Sequence, residues 1–219
     1  VTDFGEVAPA VAEASRSLGP VDILVNNAGN AGSGPTMELM AFREMPISEW
    51  RRFIDINLYG PANCCKAVLD SMCERGWGRV ITISSGAGQT GLGIGITLYG
   101  AGKSGAIGFQ RHLAMEVAQS GVTVNTIALG LMDNVGGAEA VQALAASQPT
   151  GRLGTPDDVG GRILPRVLAT FARSNPAVQV DVITGTSRVI LERLDREQID
   201  FALVTVGSRE VDSERGEIV

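Results

Sequence analysis

Short apolar runs and amphipathic stretches alternate along the first 130 residues, which is the order of strands and helices in an α/β protein. Apolar runs at 21–25, 79–83 and 122–128 predict three strands. Before the first of them, Val7 and Val11 keep helical spacing up to Leu18, and either Thr2 or Asp3 is the expected N-cap of that helix.

A longer helical run separates the first two predicted strands. It is expected to begin at a Ser48 cap. Its apolar stripe consists of Trp50, Phe53 and Ile54. Asn57 lies inside this run, where Asn is a poor helix former, and Gly60 permits a kink three residues later. The run therefore predicts a helix that bends after Asn57.

Seven glycines occur in the stretch 84–103, which reads SSGAGQTGLGIGITLYGAGK. A G-x-G-x-x-G pattern at 86–91 follows a predicted strand, but a phosphate-binding loop also needs a helix that begins at its last glycine. Gly93 and Gly95 follow at once, and each costs a helix interior roughly 1 kcal/mol against alanine. No helix is therefore expected before about Thr97, and the stretch is more typical of a connecting loop.

Tyr99 and Lys103 stand four residues apart at the start of the next helical run, so their side chains share a face. The chain contains two Tyr and two Lys, which makes this pair informative. An ammonium beside a phenol favours the phenolate, and such a tyrosine can exchange a proton with a carbonyl or alcohol oxygen. The alternative is a packed tyrosine followed by a solvated lysine, and the pair alone does not exclude it.

Small and amide residues follow the first predicted strand as Asn26, Asn27, Ala28 and Gly29. Such residues at the carboxyl end of a strand suit close approach to a ligand in an open α/β sheet. Ser85 ends the second strand, 14 residues before Tyr99. A parallel sheet would bring four polar side chains to one rim, namely those of Asn57, Ser85, Tyr99 and Lys103.

These residues lie in segments that resemble the short-chain dehydrogenase/reductase family. The segments are NNAG at 26–29, INL with Asn57, ITISS ending in Ser85, YGAGK at 99–103, GVTVN at 121–125 and GRLGTPDDV at 151–159. The resemblance covers residues 1–161. It implies a Rossmann-like, doubly wound parallel sheet and an oxidoreductase that uses NAD or NADP to interconvert a carbonyl and a secondary alcohol.

The resemblance also implies roles for the four polar residues. Tyr99 would be the catalytic acid and base, and Lys103 would lower the pKa of Tyr99 and hold the nicotinamide ribose. Ser85, favoured over Ser84 by the family's spacing, would donate a hydrogen bond to the substrate oxygen, and Asn57 would hold a water in a proton relay. The implied cofactor contacts are Val1, Asn27, Ala28, Gly29, Tyr99, Lys103, Leu129, Gly130, Met132 and Asn134.

The chain departs from the family pattern in several places. Residues 1–20 contain no glycine-rich phosphate loop, and the resemblance puts Val1 at the adenine pocket, just past the family's third strand. It thus implies that the first strands are missing and that cofactor binding is weak at best. Leu129 and Gly130 replace the family's Pro-Gly, and Asn134 replaces a threonine that contacts the nicotinamide amide. The loop at 132–149 identifies no substrate.

Residues 162–206 depart from the family altogether and read as helix, strand, helix, strand. They resemble the start of the effector-binding domain of LysR-type transcriptional regulators, which makes 162–219 a second, partial α/β segment. Thr186 and Ser187 would either contribute to binding a small anionic effector or cap a helix. Alternative interpretations of the chain are therefore a non-enzymatic effector-binding fragment and an inactive hybrid.

Composition excludes several other classes of protein. The net charge of −6 offers no basic face for nucleic acid, and no apolar run reaches membrane-spanning length. Three cysteines in one helical run, Cys64, Cys65 and Cys73, predict reduced thiols and a cytoplasmic location. The single His112 is interpreted as structural or surface-exposed, and no metal site is expected. By resemblance, helices near 48–75 and 99–119 would form a homodimer or tetramer that acts on a small carbonyl or alcohol.

Overall fold

The computed structural model describes residues 1–29, 37, 39–132, 143, 145–146, 148, 150–155 and 158. Asn134, the predicted boundary near 161 and the segment 162–219 with Thr186 and Ser187 lie outside the described residues. The chain divides into two units, Val1–Gly130 and Leu131–Val219. Every helix and strand named below belongs to the first unit.

Three parallel strands form the sheet in the order β1 (Ile23–Asn26), β2 (Gly78–Ser85) and β3 (Val122–Leu129). Asn26 is the register partner of Thr82, and Ser85 is the partner of Leu129. All three predicted strands and the α/β class are confirmed. Because the strands are parallel, their carboxyl ends meet at one edge of the sheet, which is where polar residues were expected.

Helix α1 (Phe4–Leu18) precedes β1, and its N-cap is Asp3. A side-chain oxygen of Asp3 accepts a hydrogen bond from the Gly5 amide at 2.7 Å, which decides between the two predicted caps. Val7 is buried as the helical spacing requires, but Leu18 is 89% exposed. Leu18 is the last residue of the helix, so no further turn covers its side chain.

The second helical run consists of α2 (Ile47–Ile54), a π-helical turn (Asp55–Tyr59) and α3 (Gly60–Glu74). The predicted Ser48 cap is wrong, since α2 begins at Ile47 after Pro46 and has no side-chain cap. The fixed φ of proline supplies the turn into the helix instead. Asn57 does interrupt the regular α-helix, since it lies in a π-helical turn between α2 and α3.

Helix α4 (Thr97–Val117) begins where the glycine pattern predicted. It packs on the sheet together with α3 and α1, and these elements share one core. Seven buried residues form its centre: Cys65, Val68, Met72, Val80, Leu113, Val117 and Val122. Phe53 of the predicted stripe is buried in a second cluster, and Trp50 packs beside it.

The three cysteines all lie on α3 and are free thiols, of which Cys65 is buried. His112 lies on α4 and is exposed, as expected. No helix in the described part of the chain has the length and hydropathy needed to cross a membrane.

Gly121 occupies a position that requires glycine. Its φ is +70°, and an added Cβ would lie 2.0 Å from the carbonyl oxygen of Gly76. Gly121→Ala is therefore expected to lower the free energy of unfolding by about 2 kcal/mol or more, as measured by urea denaturation. Gly108→Ala is the matched control, because a Cβ on this α4 glycine meets nothing within 4 Å. The control should stabilise the chain by up to about 1 kcal/mol. Equal stability of Gly121→Ala and the unaltered chain would contradict the structure.

Candidate active site

The end of β2 and the loop behind it form one wall of the site. Ser85 ends the strand, and its Oγ accepts a hydrogen bond from the Ala87 amide at 3.2 Å. This contact caps a short 3-10 turn, Gly86–Gly88. The chain then continues as a loop to α4, and no helix begins at Gly91. The phosphate-loop interpretation of these glycines is therefore rejected.

Tyr99 and Lys103 lie one turn apart on α4, and both side chains are at least partly buried. The Nζ atom of Lys103 is 5.8 Å from the centroid of the Tyr99 ring and donates a hydrogen bond to the carbonyl oxygen of Ile83 at 3.0 Å. Lys103 is only 7% exposed. The alternative of a solvated lysine does not fit this burial, because lysine is rarely buried without a specific role.

Asn57 and Gly29 approach Lys103 from two other elements. Asn57 is 1% exposed, and its Nδ2 donates to the carbonyl oxygen of Phe53 at 2.9 Å. A Cβ on Gly29 would lie 2.8 Å from Lys103 Nζ and 3.0 Å from Asn57 Oδ1. A larger residue at this position would have to displace the Lys103 side chain, so glycine lets the segment after β1 reach the amide and the ammonium with its backbone.

Burial shifts the pKa values of Tyr99 and Lys103 in opposite directions. It raises the pKa of the Tyr99 phenol, and a hydrogen bond with Ser85 acts against this rise. It lowers the pKa of Lys103 from 10.5 to about 8. The resemblance led us to expect a lowered pKa for Tyr99, whereas in this structure the cost of burying a phenolate dominates. Both groups are thereby moved toward their neutral forms.

The other predicted cofactor-binding residues are spread over several parts of the structure. Asn27 and Ala28 follow β1, and Leu129 ends β3 with Gly130 exposed behind it. Val1 lies against the start of α3, where its carbonyl oxygen accepts a hydrogen bond from Asn63 Nδ2 at 3.0 Å. Met132 belongs to the second unit and bridges to Gly154 there. Within the described residues, the structure thus brings together Gly29, Asn57, Ser85, Tyr99 and Lys103.

The sequence interpretation missed the partners of Lys103. Besides the bond to Ile83, the backbone carbonyl of Lys103 accepts a hydrogen bond from Ser84 Oγ at 3.3 Å. Ser84 is 3% exposed and follows the alternation of buried positions along β2, after Val80 and Thr82. That alternation was the available signal that Ser84 faces the core. In the described part of the chain, no group of three or more His, Cys, Asp or Glu could hold a metal ion.

Comparison with known protein families agrees with this geometry. A family model described as short chain dehydrogenase matches residues 1–144, about two thirds of the chain. The chain belongs to the short-chain dehydrogenase family. A second model, described as the LysR substrate binding domain, matches residues 145–214. The resemblance to both families is therefore confirmed.

Several relatives in the short-chain dehydrogenase family are similar over most of this chain. Nodulation protein G of Azospirillum brasilense is 42% identical over 171 residues, which cover 74% of this chain and 65% of that protein. Acetoacetyl-CoA reductase of Cupriavidus necator is 38% identical over 163 residues, which cover 73% and 63% respectively. The chain thus spans less than two thirds of the length of these relatives.

Solved structures share the same fold. NAD+-bound xylitol dehydrogenase has a TM-score of 0.64 and 25% identity, over 74% of this chain and 68% of that chain. ElxO with NADP bound has a TM-score of 0.62 and 27% identity, over 74% and 66%.

Lys103 is expected to make the free energy of unfolding rise with pH between about 8 and 10.5. Its folded pKa lies below its ordinary value, so in this window the unfolded chain binds more protons than the folded chain, and stability rises with pH. The cost of keeping the buried ammonium charged applies in full below pH 8 and amounts to roughly 3 kcal/mol at most.

Urea unfolding of the unaltered chain and of Lys103→Met between pH 7 and pH 10.5 measures this contribution, because other titrations cancel in the difference. The stability of Lys103→Met relative to the unaltered chain should fall as the pH rises. A difference that stays constant over this range would show that Lys103 keeps an ordinary pKa.

Proposed function

We propose that this chain carries the reaction site of an NAD(P)-dependent oxidoreductase that interconverts a carbonyl and a secondary alcohol. The observation that supports this most directly is the buried Lys103, with Tyr99 on one side and Asn57 and Gly29 on the other. Buried titratable groups with shifted pKa values are typical of catalytic sites. Membership of the short-chain dehydrogenase family and the relatives named acetoacetyl-CoA reductase support the same reaction class.

The residues at this site fit the nicotinamide half of a dinucleotide, which supplies the hydride acceptor or donor of the reaction. Gly29 offers a backbone surface without a side chain next to Lys103 Nζ. The ammonium of Lys103 and the phenol of Tyr99 are donors suited to ribose hydroxyls. Asn27 and Ala28 follow β1, and Leu129 and Gly130 lie at the carboxyl end of β3, on the same edge of the sheet. The similar solved structures contain NAD+ or NADP, and we retain both cofactors as candidates.

Tyr99 and Ser85 act on the substrate oxygen in this proposal. In the reducing direction, the Tyr99 hydroxyl gives its proton to the carbonyl oxygen of the substrate, while Ser85 Oγ donates a hydrogen bond to the same oxygen. Burial favours this direction, since it raises the pKa of Tyr99 and keeps the phenol protonated. The phenolate that remains is stabilised by the nearby ammonium of Lys103. Asn57 holds the water that returns a proton to the Tyr99–Lys103 pair.

The proposed substrate is a small carbonyl compound, and a 3-oxoacyl thioester is the first candidate because several relatives are named acetoacetyl-CoA reductases. Residues 145–214 match a LysR substrate binding domain, but the described residues do not favour effector binding over oxidoreduction.

Tyr99→Phe is expected to lower kcat by about 100-fold or more, because phenylalanine has no proton to give, while the Kd of NADPH changes by less than about threefold. Turnover is measured as NADPH or NADH oxidation with acetoacetyl-CoA, and the Kd by cofactor fluorescence. Tyr59→Phe is the matched control, since Tyr59 is the second tyrosine and is 55% exposed.

The control should keep the rate of the unaltered chain. An undiminished rate in Tyr99→Phe would remove Tyr99 from the mechanism. An unaltered chain that oxidises neither cofactor in the presence of the thioester would contradict the proposed activity itself.

A homodimer or tetramer through α2, α3 and α4 is part of the proposal. Three large apolar side chains on these helices or on the π-helical turn between them are exposed: Ile47, Tyr59 and Met115. Burying them between copies would remove apolar surface from water. Light scattering should therefore give at least twice the mass of one chain, and the mass of a monomer would contradict this assembly.

A further inference from the structure

Ser84 is a buried serine that the proposed reaction does not use. It is 3% exposed and is the residue before Ser85 in β2. Its hydroxyl donates to the carbonyl oxygen of Lys103 at 3.3 Å. A helical carbonyl has two lone pairs, so it can accept this bond in addition to the one from its own helix. The contact therefore joins α4 to β2 at the residue that carries the ammonium.

Two further contacts hold the same turn of α4. Lys103 Nζ donates to the carbonyl oxygen of Ile83 at 3.0 Å, so neighbouring residues of β2 hold both the side chain and the backbone of Lys103. In addition, Ser104 Oγ donates to the carbonyl oxygen of Gly88 at 2.9 Å. A Cβ on Gly88 would lie 2.9 Å from the carbonyl carbon of Lys103. The peptide group after Lys103 is thus enclosed by β2 and the turn that follows it.

We propose that Ser84 is a positioning residue for the Tyr99–Lys103 pair, which it holds against the end of β2 through the backbone carbonyl of Lys103. The inference rests on the proposed function, because it concerns the same site. Tyr99 lies one helical turn before Lys103, and Ser85 is the direct neighbour of Ser84. The same hydrogen bond therefore sets how far the Tyr99 phenol lies from the Ser85 hydroxyl.

The contact requires the hydroxyl of Ser84, since a carbonyl oxygen can only accept and Ser84 must donate. In Ser84→Ala the carbonyl of Lys103 keeps its helical hydrogen bond, so α4 can still form. The turn is then held to β2 by fewer contacts, and water gains access to the ammonium. Hydration favours the charged form of lysine, so the pKa of Lys103 should rise from about 8 toward its ordinary value.

The pKa of Lys103 can be followed directly by NMR of the chain labelled with 13C-lysine. The chain contains two lysines, and the exposed Lys66 provides the second Cε signal, which Lys66→Arg assigns by removing it. Ser84→Ala should raise the titration midpoint of Lys103 by about one pH unit or more.

Thr82→Val is the matched control for the loss of a buried hydroxyl. Thr82 lies two residues earlier on the same face of β2 and is 2% exposed, but it accepts a hydrogen bond from Asn26 Nδ2 of β1 at 3.2 Å. Thr82→Val should lower the free energy of unfolding without moving the Lys103 midpoint. Ser84→Cys, which has a similar size and only a weak donor, replaces Ser84→Ala if that variant does not fold.

A Lys103 midpoint in the Ser84 variant within about 0.3 unit of the unaltered chain overturns the proposal. An equal shift in Thr82→Val also overturns it, because any loss of a buried hydroxyl from β2 would then have the same effect. The titration uses neither cofactor nor substrate. Its outcome is therefore independent of whether Tyr99→Phe and the turnover assay support the oxidoreductase.

Discussion

The close contact between α4 and the carboxyl end of β2 is the constraint on which the rest of the site depends. Glycines make this contact possible. Gly88, in the turn after β2, would bring a Cβ to 2.9 Å from the carbonyl carbon of Lys103. Gly102 has similarly little room between α4 and α2, where a Cβ would lie 2.8 Å from the carbonyl oxygen of Phe53. A methyl group at Gly88 or Gly102 would therefore push one of these backbones away, whereas a methyl group at Gly29 would displace the flexible end of the Lys103 side chain.

The same close packing determines the pKa values of Lys103 and Tyr99. Water is largely excluded from Lys103, so its ammonium depends on the carbonyl of Ile83 for a hydrogen bond that solvent would otherwise supply. The opposite shifts of the Lys103 and Tyr99 pKa values leave the phenol protonated and the lysine charged below about pH 8. This is the combination that suits proton donation to a carbonyl oxygen. Burial thus lowers stability at the site while it prepares the pair for one direction of the reaction.

Local periodicity was sufficient to predict the strands, the start of α4 and the shared face of Tyr99 and Lys103, because each depends on residues within a few positions of one another. The burial of Lys103 was not predictable in this way, since the residues that enclose it come from the segment after β1, from β2 and from the π-helical turn. The Ser48 cap failed because Pro46 can begin a helix without a side-chain cap. The sequence contained one sign of the π-helical turn, which was that Asn57, a poor helix former, lies inside a helical run.

The register of β1 connects the core to this site. Asn26 and Thr82 are register partners in the sheet, and the side-chain hydrogen bond between them spans 3.2 Å. Cys65 of α3 and Gln110 of α4 extend this buried polar layer, since Asn26 Nδ2 and Gln110 Nε2 both donate to the Cys65 sulfur. Slipping β1 by one residue would break the Asn26 contacts and turn its side chain to the other face of the sheet. Gly29, three residues after Asn26, would then no longer lie next to Lys103. The polar layer therefore specifies the one register in which the segment after β1 meets the ammonium.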